Sequence, residues 1–167
     1  MMHPQYWSLY SIYERIMGNN SLKRGTNHIL GPWDKEAYSL LPIKDNSVLD
    51  VGACDGDSAK FFYEKGARRI YCIEMVKEFA DMIKTPNTVV LNEPFQLKHL
   101  ELPCDCWKFD IEGHEALLLD YKGEFKPTVI EVHSEYLYER FKEIGFRRLY
   151  EPKNNYDSVR ICFMVNF

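Results

Sequence analysis

The chain has 167 residues, 46% of them hydrophobic, and a net charge of −4. That length supplies one full core and excludes a comfortable second domain, while the acid excess removes any global pull toward a polyanion, so nucleic acid is not the default partner. No apolar run approaches the roughly 20 residues of a membrane span, and five irregularly spaced cysteines without a secretory leader fit free thiols in a reducing cytoplasm.

In chain order, Leu9, Ile12, Tyr13 and Ile16 predict an amphipathic helix over 6–17, stopped by Gly18-Asn19-Asn20. A loop over 25–31 leads to Pro32-Trp33-Asp34, which opens a second helix ending near Leu41-Pro42. These elements make residues 1–45 an N-terminal segment on the cap or substrate side, with 46–167 the main body of a single compact domain. The glycine and proline before Trp33 mark it as either a mobile cover or a core anchor. Beyond this point strands and helices alternate: strand 48–51, helix 58–65, strand 69–74, helix 76–83, strand 88–91. The stretch 92–103 contains Pro94 and Pro103 and is too irregular for a long helix. A fourth strand over 106–110, a helix over 115–120, a fifth strand after Pro127 and a helix over 135–144 follow, the last closed by Gly145. Segments 146–150 and 159–165, joined by a turn-rich 152–157, complete an antiparallel hairpin. The expected fold is α/β: a Rossmann-like, doubly wound, mostly parallel sheet with a C-terminal antiparallel hairpin.

Ligands of such sheets bind outside the carboxyl ends of the strands. That rim collects Asp50 to Gly56, Glu74-Met75, Asn92, Asp110 to Glu115, and Glu131 to His133. Val48-Leu49-Asp50-Val51-Gly52-Ala53-Cys54-Asp55-Gly56 is a strand running into an acidic turn of the form Asp-x-Gly-x-x-x-Gly, whose glycines permit left-handed angles and close approach of a ligand. Ile70-Tyr71-Cys72-Ile73-Glu74 is a second strand ending in a carboxylate, as ribose-binding α/β folds have. The G-x-G-x-x-G fingerprint is absent, and Asp50 and Asp55 would repel a pyrophosphate. A cationic, phosphate-free ligand suits the turn better, and S-adenosylmethionine (SAM), with its sulfonium and amino group, is such a ligand.

The turn resembles motif I of the class I SAM-dependent methyltransferases, and Lys108-Phe109-Asp110-Ile111-Glu112-Gly113-His114-Glu115 resembles the K-[IF]-D-[IV]-E-G-x-E signature of their FkbM-type branch. Pro127-Thr128-Val129-Ile130-Glu131-Val132-His133 is similar to the strand that follows there. The resemblance covers residues 46–146 and implies methylation, with an oxygen acceptor of sugar-like character. It also implies that Gly52, Ala53, Cys54 and Gly56 wrap the cofactor, with Asp50 and Asp55 nearest its methionine amino end. Glu74 would hold the ribose, Met75 touch the adenine face and Asn92 reach the adenine edge. Asp110 would face the sulfonium side, and Glu112 and His114 the acceptor, whose proton a side chain must often remove. Glu115 reads more readily as a helix-start acid favoured by the dipole than as a site residue. Glu131 and His133 share a strand phase and could reach the rim together.

The acceptor is expected to be a small molecule and the protein a monomer or homodimer. Cys104-x-Cys106 has no second pair and no local cluster supplies four zinc ligands, so no metal is assigned, although neighbouring acids such as Asp110 and Glu112 can take a divalent ion. Two alternatives stay open. Asn92-Glu93-Pro94-Phe95 and Pro103-Cys104 are similar to motifs of nucleic-acid base methylases, but each sits on the wrong side of the fourth strand. A non-catalytic SAM-binding module is the other.

Overall fold

The computed structural model describes residues 30–149 and 162–167. The helix expected over 6–17 and the turn over 152–157 lie outside them. The elements are α1 (Pro32–Tyr38), β1 (Ser47–Val51), α2 (Asp57–Glu64), β2 (Arg69–Ile73), α3 (Lys77–Ala80), β3 (Thr88–Leu91), β4 (Cys106–Phe109), β5 (Thr128–Val132), α4 (Glu135–Glu143), β6 (Arg147–Arg148) and β7 (Cys162–Val165), with 3₁₀ helices at Leu97–Glu101 and His114–Asp120.

The seven strands form one sheet in the order β3-β2-β1-β4-β5-β7-β6. Strands β1 to β5 pair in parallel, and β7 runs antiparallel between β5 and β6. The expected terminal hairpin is present, but β6 has shrunk to two residues. One expected helix contracts and another changes type: residues 76–83 keep the single turn of α3, and His114–Asp120 winds as a 3₁₀ helix.

Period-two alternation assigns the strand residues to two cores. On one face Val48, Ile70, Cys106 and Val129 pack with Ala37, Tyr38, Leu41 and Phe62 of the α1 and α2 side. On the other, Leu49, Val51, Trp107, Phe109 and Ile130 pack with Leu137 and Phe141 of α4. Ala37, Tyr38, Leu41 and Ile43 are therefore part of the main core, while Trp33, at the start of α1, is 52% exposed and no core anchor.

Local signals set the helix ends. Gly56, in the left-handed region, begins α2, and the Ser134 hydroxyl accepts the Leu137 N–H to cap α4. Strand order reverses at β1, whose neighbours are β2 and β4. A crevice therefore opens at the carboxyl ends of β1 and β4.

Candidate functional site

At that crevice the turn after β1 presses against the end of β4. The Asp110 N–H donates to the Val51 carbonyl at 3.1 Å, and a Cβ added to Gly52 (φ +75°) would lie 1.8 Å from the Asp110 carbonyl oxygen. Cys54 is also left-handed, at φ +47°. Its N–H donates to Glu74 Oε2 at 2.9 Å, and Glu74 Oε1 accepts the Val76 N–H at 2.7 Å. Glu74 thus ties the β1 turn to the end of β2. Burial raises its pKa, with these two N–H donors opposing.

Asp50 lies beneath the turn rather than on it. It is fully buried, accepts the Ser58 hydroxyl at 2.6 Å on Oδ2 and meets Lys108 Nζ at 3.0 Å on Oδ1. The latter contact is a charge pair, since no well-aligned hydrogen bond reaches Oδ1 among the described residues. Lys108 is directly opposite Asp50 in the β1–β4 register and donates to the Gly52 carbonyl at 2.8 Å, with the Tyr38 ring below it. Burial alone would strip its charge, but Asp50, together with Tyr38 and Asp110, outweighs that and holds the ammonium protonated. The physical correction to the sequence expectation is that Asp50, closed off by Ser58 and Lys108, does not present a carboxylate to a ligand; it anchors the strand from which the turn springs.

Of the other expected cofactor residues, Ala53 is fully buried, while Met75 is 50% exposed at the rim. Asn92 donates its side-chain N–H groups to the Glu74 and Met75 carbonyls at 2.8 and 3.2 Å, which shapes the β2 end. Asp55 and Gly56 also border a cavity of about 770 Å³ that extends toward Lys35, Lys60 and Met82. This cavity adjoins the strand-end cluster without containing Glu74, Met75, Asn92 or Asp110; the site is placed where the strand ends converge.

Asp57, the first residue of α2, has its carboxyl pushed up to about 6 by burial and the charge of Asp55. The folded state holds this proton more tightly than the unfolded chain, so its contribution to stability is complete below the ordinary 3.8 and is lost as the pH rises through about 6. Asp57→Asn is expected to stabilise at pH 8, by on the order of 0.5–1 kcal/mol after solvent screening and the lost helix-dipole attraction. In thermal melts the gain should vanish near pH 4.

The other side of the crevice is built from β4 and β5. His133 Nε2 lies 3.7 Å from Asp110 Oδ1 and 3.8 Å from Glu112 Oε2, and Nδ1 lies 3.2 Å from Glu115 Oε1. Glu115 is fully buried and accepts the N–H groups of Ile111 and Gly113 at 2.9 and 2.7 Å. Burial alone would lower His133, but Glu115, with Asp110 and Glu112, raises it to about 9. Glu131 is pushed up to about 8 by burial and by the neighbouring Asp110 carboxylate.

Asp110, Glu112, Glu131 and His133 therefore come together as their strand phases suggest. His114 does not join them: its backbone N–H donates to the Ile111 carbonyl, and no described residue engages its ring. Sequence adjacency to Glu112 singled out His114. The partner that converges is His133, from the neighbouring strand. Of the two buried supports, Lys108 was visible only as a letter of the signature and Glu115 as a helix-start acid.

The base-methylase motifs find no site. Cys104 is 2% exposed, lies at the amino end of β4 away from the rim, and has its thiol pushed up to about 12 by burial. Glu93 is engaged by Lys98 and His99.

No family model matches the chain and no curated protein matches it in sequence. Solved structures do match in shape. The C-terminal domain of precorrin-6Y C5,15-methyltransferase from Rhodobacter capsulatus superposes with a TM-score of 0.60 at 14% identity, covering 84% of this chain and 90% of that one. A candidate rRNA methylase from Clostridium thermocellum gives 0.61 at 8% identity over 79% and 92%. An rRNA methylase from Streptococcus thermophilus gives 0.56 at 14% over 83% and 97%. The chain has a methyltransferase fold. In that fold the crevice between the ends of β1 and β4 is the one bordered here by Gly52 and Asp110, so the expected rim and the strand switch point coincide. Among the described residues no helix is long and apolar enough to cross a membrane.

Proposed function

We propose that this protein is a SAM-dependent methyltransferase acting on a small acceptor. The observation that carries the reading is the turn at the switch point: glycine is required at position 52 by the Asp110 carbonyl, and the turn is tied to the β2 end by Glu74. The donor set fits the cofactor. Glu74 keeps lone pairs for ribose hydroxyls beyond its two backbone bonds, Met75 offers an exposed apolar face, and Asp55 and Asp110 suit a cationic methionine end. When bound, SAM supplies an electrophilic methyl group.

The chain's own residues orient and exclude. Gly52, Ala53, Cys54 and Gly56 form the backbone cradle, and Asn92 holds the carbonyls behind Met75. Asp110 and Glu112 present carboxylates where an acceptor would lie. His133 is already encircled by acids and held charged, so its ring is not free to accept a proton from an acceptor. The FkbM-type assignment rests on the residue 108–115 signature alone. A sugar-like hydroxyl acceptor has no support from the structural neighbours, two of which are named rRNA methylases. Against RNA stands the rim itself, where Asp55, Asp57, Asp110 and Glu112 would face a polyanion.

Titration calorimetry with SAM and its demethylated product tests the reading. Both should bind the wild-type chain, and Glu74→Ala should weaken SAM by roughly 1–3 kcal/mol. The same change leaves the Cys54 and Val76 N–H groups without acceptors, so a lower Tm is expected alongside; Glu74→Gln, which keeps one acceptor oxygen, should recover part of both. Absence of binding by either ligand would leave a methyltransferase-shaped module without the activity. Tight, steeply salt-dependent RNA binding would instead favour a nucleic-acid acceptor.

A further inference from the structure

The ring of acids around His133 is not closed by hydrogen bonds. Charge-assisted N–H···O contacts run at about 2.7–2.9 Å, yet Nε2 stands 3.7 Å from Asp110 and 3.8 Å from Glu112. The gap has the dimensions of an ion. One ligand atom from each of Asp110, Glu112 and His133 lies within 4.8 Å of the other two, whereas ligands bound at about 2.1 Å stand roughly 3.0–3.4 Å apart in octahedral or tetrahedral geometry. Small rotations of exposed Glu112 and of Asp110 would close that difference.

On its far side the imidazole is already set as a metal ligand requires. The fully buried Glu115 carboxylate, pinned by two backbone N–H groups, faces Nδ1 at 3.2 Å. A carboxylate behind a histidine fixes the tautomer and points the Nε2 lone pair outward. Charge leads to the same conclusion. Asp110, Glu112 and Glu115 surround one imidazole, and the buried cation Lys108 is paired with Asp50.

We propose that Asp110, Glu112 and His133 form a three-ligand site for a divalent transition cation of the Mn²⁺ type, with Glu115 positioning the histidine. One imidazole with two carboxylates suits such an ion better than Mg²⁺ or Ca²⁺, which prefer all-oxygen shells. Three protein ligands leave coordination positions open toward the crevice, where an acceptor oxygen could enter. That use rests on the methyltransferase reading, but binding of the cation does not. The incoming ion takes the place of the proton on His133, which leaves to solvent.

The test is Mn²⁺ alone, titrated into the EDTA-treated, desalted full-length chain without SAM and followed by the electron paramagnetic resonance signal of free aqueous Mn²⁺. One equivalent should be taken up, and pulsed measurements should show coupling to a ¹⁴N nucleus. His133→Gln should weaken uptake at least tenfold and abolish the nitrogen coupling, while leaving SAM affinity unchanged. Glu115→Gln should weaken uptake by about 10- to 100-fold and keep the coupling. No uptake by the folded wild type up to about 1 mM Mn²⁺ overturns the proposal, as does equal uptake by His133→Gln. Should His133→Gln lose its near-ultraviolet circular dichroism, Asp110→Asn carries the uptake comparison alone, with at least tenfold weaker uptake expected and equal uptake overturning the proposal. Mn²⁺ uptake without SAM binding would leave the metal site standing and remove the methyltransferase reading; the opposite pattern does the reverse.

Discussion

Gly52→Ala should be the most damaging single-methyl change in the chain. The added Cβ would sit 1.8 Å from the Asp110 carbonyl oxygen and 2.9 Å from its carbon, both backbone atoms of the adjoining strand end. A flexible side chain could swing aside; β4 cannot, because it is hydrogen-bonded between β1 and β5. The residue also sits at φ +75°, where a side chain costs about 1–2 kcal/mol by itself. The turn must therefore move away from β4, which breaks the Asp110 to Val51 bond and the Lys108 grip on the Gly52 carbonyl. We expect a loss of roughly 3 kcal/mol or more, a Tm fall of about 6–12 °C, and no measurable SAM binding. Gly113→Ala is the matched control, since it is equally left-handed (φ +99°) but a Cβ there meets nothing within 4 Å. If the two variants melt alike, the contact with Asp110 is not what requires glycine at position 52.

Lys108→Met is expected to cost about 3–5 kcal/mol, because it leaves the Asp50 carboxylate buried without its cation. The ammonium also supports the Gly52 carbonyl, so SAM affinity should fall with stability. The pair can be separated from its packing by a double-mutant cycle. Asp50→Asn with Lys108→Met removes both charges while keeping similar volumes and the Ser58 partner, and it should recover most of the lost stability. SAM binding should stay weak in the double variant, since the support of the Gly52 carbonyl is still missing. Chemical denaturation of the four proteins reads the first result and calorimetry the second. A coupling energy near zero would mean that Lys108 acts through its contact with Tyr38 and its aliphatic stem, not through Asp50.

The amino-acid sequence by itself determined the alternation of strands and helices, the switch-point turn and the rim. Burial repeats every second residue in a strand, and glycine is demanded wherever the backbone turns left-handed. Thus β1 and β3 appear within a residue of where Val48 to Val51 and Thr88 to Leu91 place them, and Glu74 and Asp110 stand one residue past their strands. Helix lengths were less legible. Residues 76–83 and 115–120 carry apolar spacing, yet pack as a single turn and a 3₁₀ helix, because apolar spacing records which residues are buried and not how many backbone turns are wound.

Which side chains meet was decided by the tertiary structure alone. Periodicity states that Asp50, Lys108 and Glu131 face one side of a sheet, but only the pairing of β1 with β4 sets Lys108 opposite Asp50 and turns an expected ligand contact into a buried ion pair. The same holds for the histidines. His114 is a near neighbour of Glu112 in the chain, whereas His133 reaches Asp110, Glu112 and Glu115 because β5 lies beside β4. Strand order depends on the sum of many long-range contacts, which a local pattern does not record, and that sum decided which imidazole the acids surround.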